Sequence, residues 1–288
     1  MYALILNPFS GNGKGKKYLP KIEEFLKSSG IEYKVCLTSN PHDAFVHAES
    51  AVRDNLEGVI IVGGDGSVSE VLGGLHGSHL PVIFVPCGTG NDFLKTLKLP
   101  KNPVKALKKQ FHSPIRKIDS GIVNETPFIN VAGAGFDADV LKKVEKYKSS
   151  YRGLITYLLA LFDALGGYKP FECEISIDGG PFEKHCLTIL SIGNGRYYGG
   201  GMKAVPGASL DDGLFNLVLI RAIKKRWIPF LLPIFILGLH TYLPISKSYA
   251  VKRAVIRAKS MTFQLDGELI DIDSADISVL PASVTARF

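Results

Sequence analysis

The sequence predicts an α/β domain on a parallel sheet, followed by an antiparallel, β-rich, sandwich-like domain with helical insertions. Two observations predict the first half. Unbroken apolar runs at residues 2–6, 59–62 and 82–85 are separated by segments whose apolar residues recur at helical spacing. The runs lead into turns rich in glycine, and continuous apolar strands of this kind belong to a parallel sheet covered on both faces. A third observation marks the second half: from Ile118 onward, short strand patterns are broken by glycine turns.

The elements follow in order. Residues 2–6 form a strand, and 18–29 a helix with Leu19, Ile22, Phe25 and Leu26 on its apolar side. Residues 33–37 are a second strand, and 43–55 a helix carrying Ala44, Val46, Ala48, Ala51 and Val52. Then come a strand at 59–62, a helix at 67–76 and a strand at 82–85. Beyond the boundary, strands are expected at 128–131, 172–177, 187–192, 214–220, 254–257, 261–265 and 277–280. Asp178-Gly179-Gly180 is a hairpin turn, and helices interrupt the pattern at 151–165 and 228–239. Residues 1–119 are assigned to the first domain and 120–278 to the second; the strand at 279–288 is free to return to the first.

A chain of 288 residues, 46% hydrophobic and 21% charged, can bury a real core and is not a disordered segment. The net charge of +7 suits an anionic partner, whether nucleotide, nucleic acid or acidic lipid surface. Cys36, Cys87, Cys173 and Cys186 show no zinc spacing, so free thiols in a reducing compartment are expected. The first apolar run is too short for a signal peptide, and secretion is not expected. The greasy stretch 227–239 is interrupted or followed by Pro229, Pro233, Gly238, His240 and Pro244; it reads as a packed or interfacial helix rather than a membrane span.

Three loops could hold phosphate. Residues 7–17 crowd three glycines and three lysines after the first strand, yet neither phosphate-loop nor dinucleotide spacing is present. Five residues before Gly15-Lys16 stands Ser10 rather than glycine, and Lys17 occupies the Ser/Thr place. Gly63-Gly64-Asp65-Gly66-Ser67 lies where a central strand ends and a helix begins, so that free N–H groups meet one carboxylate suited to a metal ion. Ser67 is equally suited to cap that helix. Pro86-Cys87-Gly88-Thr89-Gly90-Asn91-Asp92 repeats the arrangement, with Asn91 or Asp92 as the alternative cap. Loops after neighbouring strands share one crevice.

Asn7-Pro-Phe-Ser-Gly11, Gly63-Gly-Asp-Gly-Ser67 and Pro86-Cys-Gly-Thr-Gly-Asn-Asp92 together resemble the catalytic domain of the diacylglycerol and sphingosine kinase family, bacterial soluble lipid kinases above all. Asp119-Ser-Gly, Asn130-x-x-Gly133-x-Gly-Phe-Asp137, Leu210-Asp-Asp-Gly-Leu214 and Asp266-Gly-Glu268 extend the resemblance over essentially the whole chain. It implies an ATP site formed by Asn7, Pro8, Phe9, Ser10 and Gly11, by Thr38, by Gly64, Asp65, Gly66, Ser67, Val68, Ser69 and Glu70, and by Thr89. Ser67 replaces the threonine of many members and keeps the hydroxyl.

The resemblance further implies a catalytic Mg²⁺ held by Asp65, Asp92 and Asp119, partly through water, and Glu268 as the general base. From the residues alone, Glu268 is a surface residue after a hairpin turn. A second, structural Mg²⁺ is implied at the side chain of Asp212 and the main chains of Ser209 and Leu214. The implied activity is ATP- and Mg²⁺-dependent phosphorylation of a lipid hydroxyl, most naturally diacylglycerol to phosphatidate. The implied place is the cytoplasm, in peripheral contact with the anionic inner face of the membrane. Nucleic acid is not expected as a partner, and a homodimer is left open. NAD kinase shares the glycine–aspartate loop, but its Gly-x-Thr-Ala-Tyr segment is missing. A non-catalytic nucleotide or lipid sensor is the remaining alternative, against which the presence of Asp65, Asp92 and Glu268 argues.

Overall fold

The computed structural model describes residues 1–148, 150–151 and 153–288. Ser149 and Arg152 lie outside them, so the expected helix at 151–165 is described only in part. The chain divides into two compact units, Met1–Ile118 with Ala282–Phe288, and Asp119–Pro281.

The first unit runs β1 (Tyr2–Leu6), α1 (Ser10–Ser28), β2 (Tyr33–Leu37), α2 (Asp43–Arg53), β3 (Gly58–Gly63), α3 (Asp65–Gly74), β4 (Val82–Pro86), α4 (Asp92–Thr96) and α5 (Pro103–Phe111). Strands β2, β1, β3 and β4 lie side by side and parallel, and Ala286 near the C-terminus pairs with Val82 to extend the sheet beyond β4. β1, β3 and β4 are buried along their whole length, as their continuous apolar character requires. Leu4, Leu6, Ile60, Val62, Ile83 and Val85 pack with Ile22 and Leu26 of α1 and Leu107 of α5. Ala3, Ile5 and Ile61 point to the opposite face and are equally buried.

Two features differ from the sequence reading. The first helix does not wait for residue 18: Gly11, Asn12 and Gly13 make a left-handed turn directly after Ser10, and helix follows at once. Glycine spacing thus conceals a helix start. The helix α5 was not expected, although Asn102 caps it by accepting from the Lys105 N–H and Pro103 opens it.

The second unit contains β5 (Ile115–Val123, entering from the first unit), β6 (Thr126–Phe128), β7 (Val131–Gly135), α6 (Phe136–Lys148), α7 (Leu154–Ala164), β8 (Phe171–Ile177), β9 (Glu183–Gly193), β10 (Phe215–Arg221), α8 (Ile228–Ile236), β11 (Ser246–Val251), β12 (Arg253–Leu265) and β13 (Glu268–Arg287, whose last residues belong to the first unit). Strand order is β11-β10-β9-β7-β12-β13, all antiparallel, and β8 pairs with both β9 and β12. Ala132, Ile175, Leu190, Ile192, Leu217, Ile256, Phe263 and Ile277 fill the space between the strands. Phe128 stacks on Phe215 with ring centroids 5.3 Å apart.

Residues 254–257 and 261–265, expected as two strands, are one strand with a bulge, where Ser260 takes a left-handed φ of 50°. α6 was not anticipated. α8 ends at Ile236, short of residue 239, because Gly238 turns left-handed at φ 76°. Among the described residues no helix is long and apolar enough to cross a membrane.

Candidate functional site

In the first unit, Leu6 pairs with Leu37 on one side and Val62 on the other, and Gly63 pairs with Pro86. Asn7, Thr38, Gly64 and Cys87, the residues that follow, therefore line one edge of the sheet at the carboxyl ends of its strands, where open α/β sheets bind ligands. Asn7 shapes the first loop: its Oδ1 accepts from the Phe9 N–H at 2.9 Å, and its carbonyl from the Ser10 N–H at 3.2 Å. Phe9 itself stands exposed. Lys14, one of the three lysines, is tied down by donating from Nζ to the Pro86 carbonyl at 3.2 Å. Thr38 is buried, its N–H on the Leu6 carbonyl.

The three glycine loops touch through bare backbone. A Cβ on Gly64 would lie 2.9 Å from the Gly88 Cα and 3.6 Å from the Ser10 Oγ, and one on Gly11 would collide with the Cys87 carbonyl. Side chains are excluded here, leaving peptide groups and the N-terminus of α3, a natural seat for an anion. α3 begins at Asp65 with Gly64 as its cap, so Ser67 lies within the first turn rather than capping it. Gly66, Ser67, Val68, Ser69 and Glu70 are the following residues of that helix, and Thr89 is exposed in the third loop.

Asp65 and Asp92 come together. The Asp65 Oδ1 accepts from the Phe93 N–H at 3.1 Å, and the Asp92 Oδ1 from the Lys95 Nζ at 2.7 Å. A methyl group at Gly90 would lie 3.0 Å from the Asp65 Oδ2 and 3.5 Å from the Asp92 Oδ2, so both second oxygens face the space glycine leaves open. Shielding from water, reinforced by the Asp92 charge, pushes the Asp65 carboxyl up to about 6. Two crowded carboxylates beside free N–H groups suit a hard divalent cation that keeps some of its water.

The other expected residues belong to the second unit. Asp119 is buried and fastened to the 209–214 loop: its N–H donates to the Leu210 carbonyl at 2.6 Å, and its Oδ2 accepts from the Gly213 N–H at 2.7 Å. In the same loop Asp212 accepts from the Leu214 N–H at 3.1 Å, and the Ser209 hydroxyl donates to Asp211 at 3.3 Å. Among the described residues, no three His, Cys, Asp or Glu side chains gather into a metal cluster. The donors the 209–214 loop offers a magnesium ion are one carboxylate and main-chain carbonyls, an oxygen set that fits.

Glu268 is exposed at the start of β13, opposite Leu265 across the two-residue turn Asp266-Gly267, where φ is 50° and 97°. The turn is anchored. Asp266 accepts from three consecutive backbone N–H groups, Ile129 at 2.8 Å, Asn130 at 2.9 Å and Val131 at 3.1 Å. This anchor carried no assigned role from sequence, nor did Asn194, which donates to the Asp119 carbonyl at 2.5 Å. Lys95 was also missed; its place three residues after Asp92, one turn along a helix, was the available signal.

Residues 1–123 match the family model of the diacylglycerol kinase catalytic domain, and residues 130–286 that of the YegS C-terminal NAD kinase beta sandwich-like domain. A Klebsiella pneumoniae protein named "Probable lipid kinase YegS-like" is 31% identical over 297 residues, covering 99% of this chain and 94% of that one. The fold is shared with a diacylglycerol kinase from Bacillus anthracis, at a TM-score of 0.76 and 21% identity over 100% of this chain and 96% of that one. It is also shared, at a TM-score of 0.57 and 16% identity, with an NAD kinase from Archaeoglobus fulgidus solved in complex with ATP, covering 100% and 94% of the two chains.

Two outcomes follow from the geometry. Asp65 ionises near 3.8 when unfolded but only at about 6 when folded, so its cost to stability is small below pH 4, builds between pH 4 and about 6, and is fully present above that. In metal-free buffer at pH 8, Asp65→Asn should therefore melt higher, with a gain of about 1–3 kcal/mol that shrinks towards pH 4, as read by calorimetry across that range. Asp266→Ala should destabilise the second unit by about 2–4 kcal/mol in urea titrations, because three buried N–H groups lose a charged acceptor.

Proposed function

The chain belongs to the diacylglycerol kinase family of lipid kinases, and from that premise we propose that it transfers the γ-phosphoryl group of ATP to the hydroxyl of diacylglycerol, giving phosphatidate, with Mg²⁺ required. The observation that carries the proposal is the convergence of Asp65 and Asp92 beside the N-terminus of α3, among loops too tight for side chains.

On this reading the N–H groups of the 7–11 loop and of residues 64–70, with Thr38 and Thr89, seat the nucleotide, and the lysine-rich start of α1 adds positive charge. Asp65, Asp92 and Asp119 are the residues that would hold the metal, which would supply neutralising charge for the phosphates. Glu268 takes the acceptor proton as the lipid oxygen bonds to phosphorus and the bond from phosphorus to the ADP oxygen breaks. The anchored Asp266 turn keeps Glu268 from wandering. Ser209, Asp212 and Leu214 would hold a structural magnesium in the loop that grips Asp119. Residues 1–119 bind ATP and the second domain takes the lipid. The reaction runs in the cytoplasm at the inner face of the membrane, where ATP and an insoluble acceptor meet.

The test is radiolabelled ATP with mixed micelles of diacylglycerol, ceramide, a sphingoid base or monoacylglycerol, and in parallel with NAD. Label should enter diacylglycerol, require Mg²⁺, and fall by about 10²–10⁴-fold in Glu268→Ala while nucleotide still binds. Label in NAD alone, or ATP consumption with no labelled acceptor, would overturn the reading, and equal labelling by Glu268→Ala would remove Glu268 from the mechanism.

A further inference from the structure

Helix α8 buries Ile228, Leu232 and Phe235 against the second unit. That spacing turns one stripe of the helix inward and leaves the opposite stripe outside. The outer stripe is not polar. Trp227, Phe230 and Leu237 lie along it, with Phe230 72% and Leu237 64% exposed. After the left-handed Gly238, a short 3-10 turn, Leu239–Tyr242, shows Leu239 and Tyr242, the latter 83% exposed. Residues 227–242 thus carry five of the fifteen large apolar side chains exposed among the described residues, a concentration that marks an interaction surface rather than scattered single residues. Ile155 and Phe162 of α7 are exposed in the same unit, where α7 and α8 share one core through Ala160, Leu161, Ile228 and Leu232.

The charges around this patch say what covers it. From Arg221 to Ala250 there is no aspartate or glutamate, while Arg221, Lys224, Lys225, Arg226 and Lys247 are all exposed. A second copy of this chain would bring the same uncompensated cations against them. An anionic bilayer surface complements both parts, the cations at the headgroups and the apolar stripe below. Trp227 and Tyr242 at the ends, with Phe230 and Leu237 between, follow the usual division between interface and acyl region. At nine residues α8 is about 14 Å long, suited to lying in the interface rather than spanning it.

We propose that residues 227–242 form a wedge that sinks its apolar face into the acyl boundary of an anionic leaflet, while Lys224, Lys225, Arg226 and Lys247 hold the headgroups. This rests on the lipid-acceptor reading above, and it names the segment of the chain that meets the bilayer.

Trp227 is the chain's one tryptophan, so its fluorescence reports this segment alone. With the full chain and vesicles of phosphatidylcholine plus phosphatidylglycerol, its emission should shift to the blue. It should also be quenched by lipids brominated high on the acyl chain. Phe230→Ser with Leu237→Ser should weaken vesicle partitioning roughly tenfold or more, yet leave turnover of a short-chain, water-soluble diacylglycerol unchanged. Lys224→Gln with Lys225→Gln should weaken binding to anionic vesicles and flatten its salt dependence, with little effect on pure phosphatidylcholine. If the double serine variant fails to fold, quenching in the unaltered chain decides. Absence of both shift and quenching, while the soluble diacylglycerol is phosphorylated, would sink the wedge and leave the kinase reading standing. A blue shift that grows with protein concentration without lipid, and a dimer in sedimentation lost in the serine variant, would assign the patch to a second copy instead. Quenching by lipid with no phosphorylation of any diacylglycerol would uphold the wedge and overturn the kinase reading.

Discussion

Everything at the first unit's site depends on how closely two peptide backbones approach, Gly64 of one loop against Gly88 of the next. A single methyl group on either would force the loops apart. That contact sets the position of Asp65, one residue beyond Gly64, and of Asp92, four residues beyond Gly88. Held there, the two carboxylates repel, and the repulsion adds to desolvation in lifting Asp65 to about 6. On the proposed reading, a divalent ion held between them would convert this unfavourable pair into a favourable one. The site is thus tense by construction, and the tension is borne by backbone that has no side chain to yield.

The parts legible in the sequence were those governed by local pattern. Continuous apolar runs became the wholly buried β1, β3 and β4, and the turns after β3 and β4 carry Asp65 and Asp92 at the carboxyl edge of the sheet. The parts that escaped are governed by distance along the chain. An Asp-Gly turn announces a hairpin, but nothing near Asp266 discloses that its carboxylate grips N–H groups of Ile129, Asn130 and Val131. The same holds for Asp119, whose partners Gly213 and Asn194 lie far downstream. α6 was hidden for another reason. Its first turn carries Asp137, which is buried and has its carboxyl pushed up to about 7 by burial, so a charged residue sits where a periodicity count looks for an apolar one.

The two halves of the sequence solve different burial problems. In the first unit, strands apolar on both faces are covered on both, and the alternation of strand and helix states this openly. In the second, α8 is apolar nearly all round, a composition that ordinarily signals a fully interior helix. Only one of its sides meets protein. The discrepancy between composition and cover is what makes this helix informative, and it cannot be recognised until the covering partners of Ile228, Leu232 and Phe235 are known.

The final strand has a bearing on how the molecule is made. Residues 282–288 complete the first unit, and Ala286 pairs with Val82 of β4, yet the whole stretch from 119 to 281 must leave the ribosome before they do. Until then the first 118 residues hold a parallel sheet whose β4 flank lacks its neighbour, an unpaired edge open to wrong partners. Order of synthesis therefore runs against order of assembly: the last residues made are the ones that close the β4 flank.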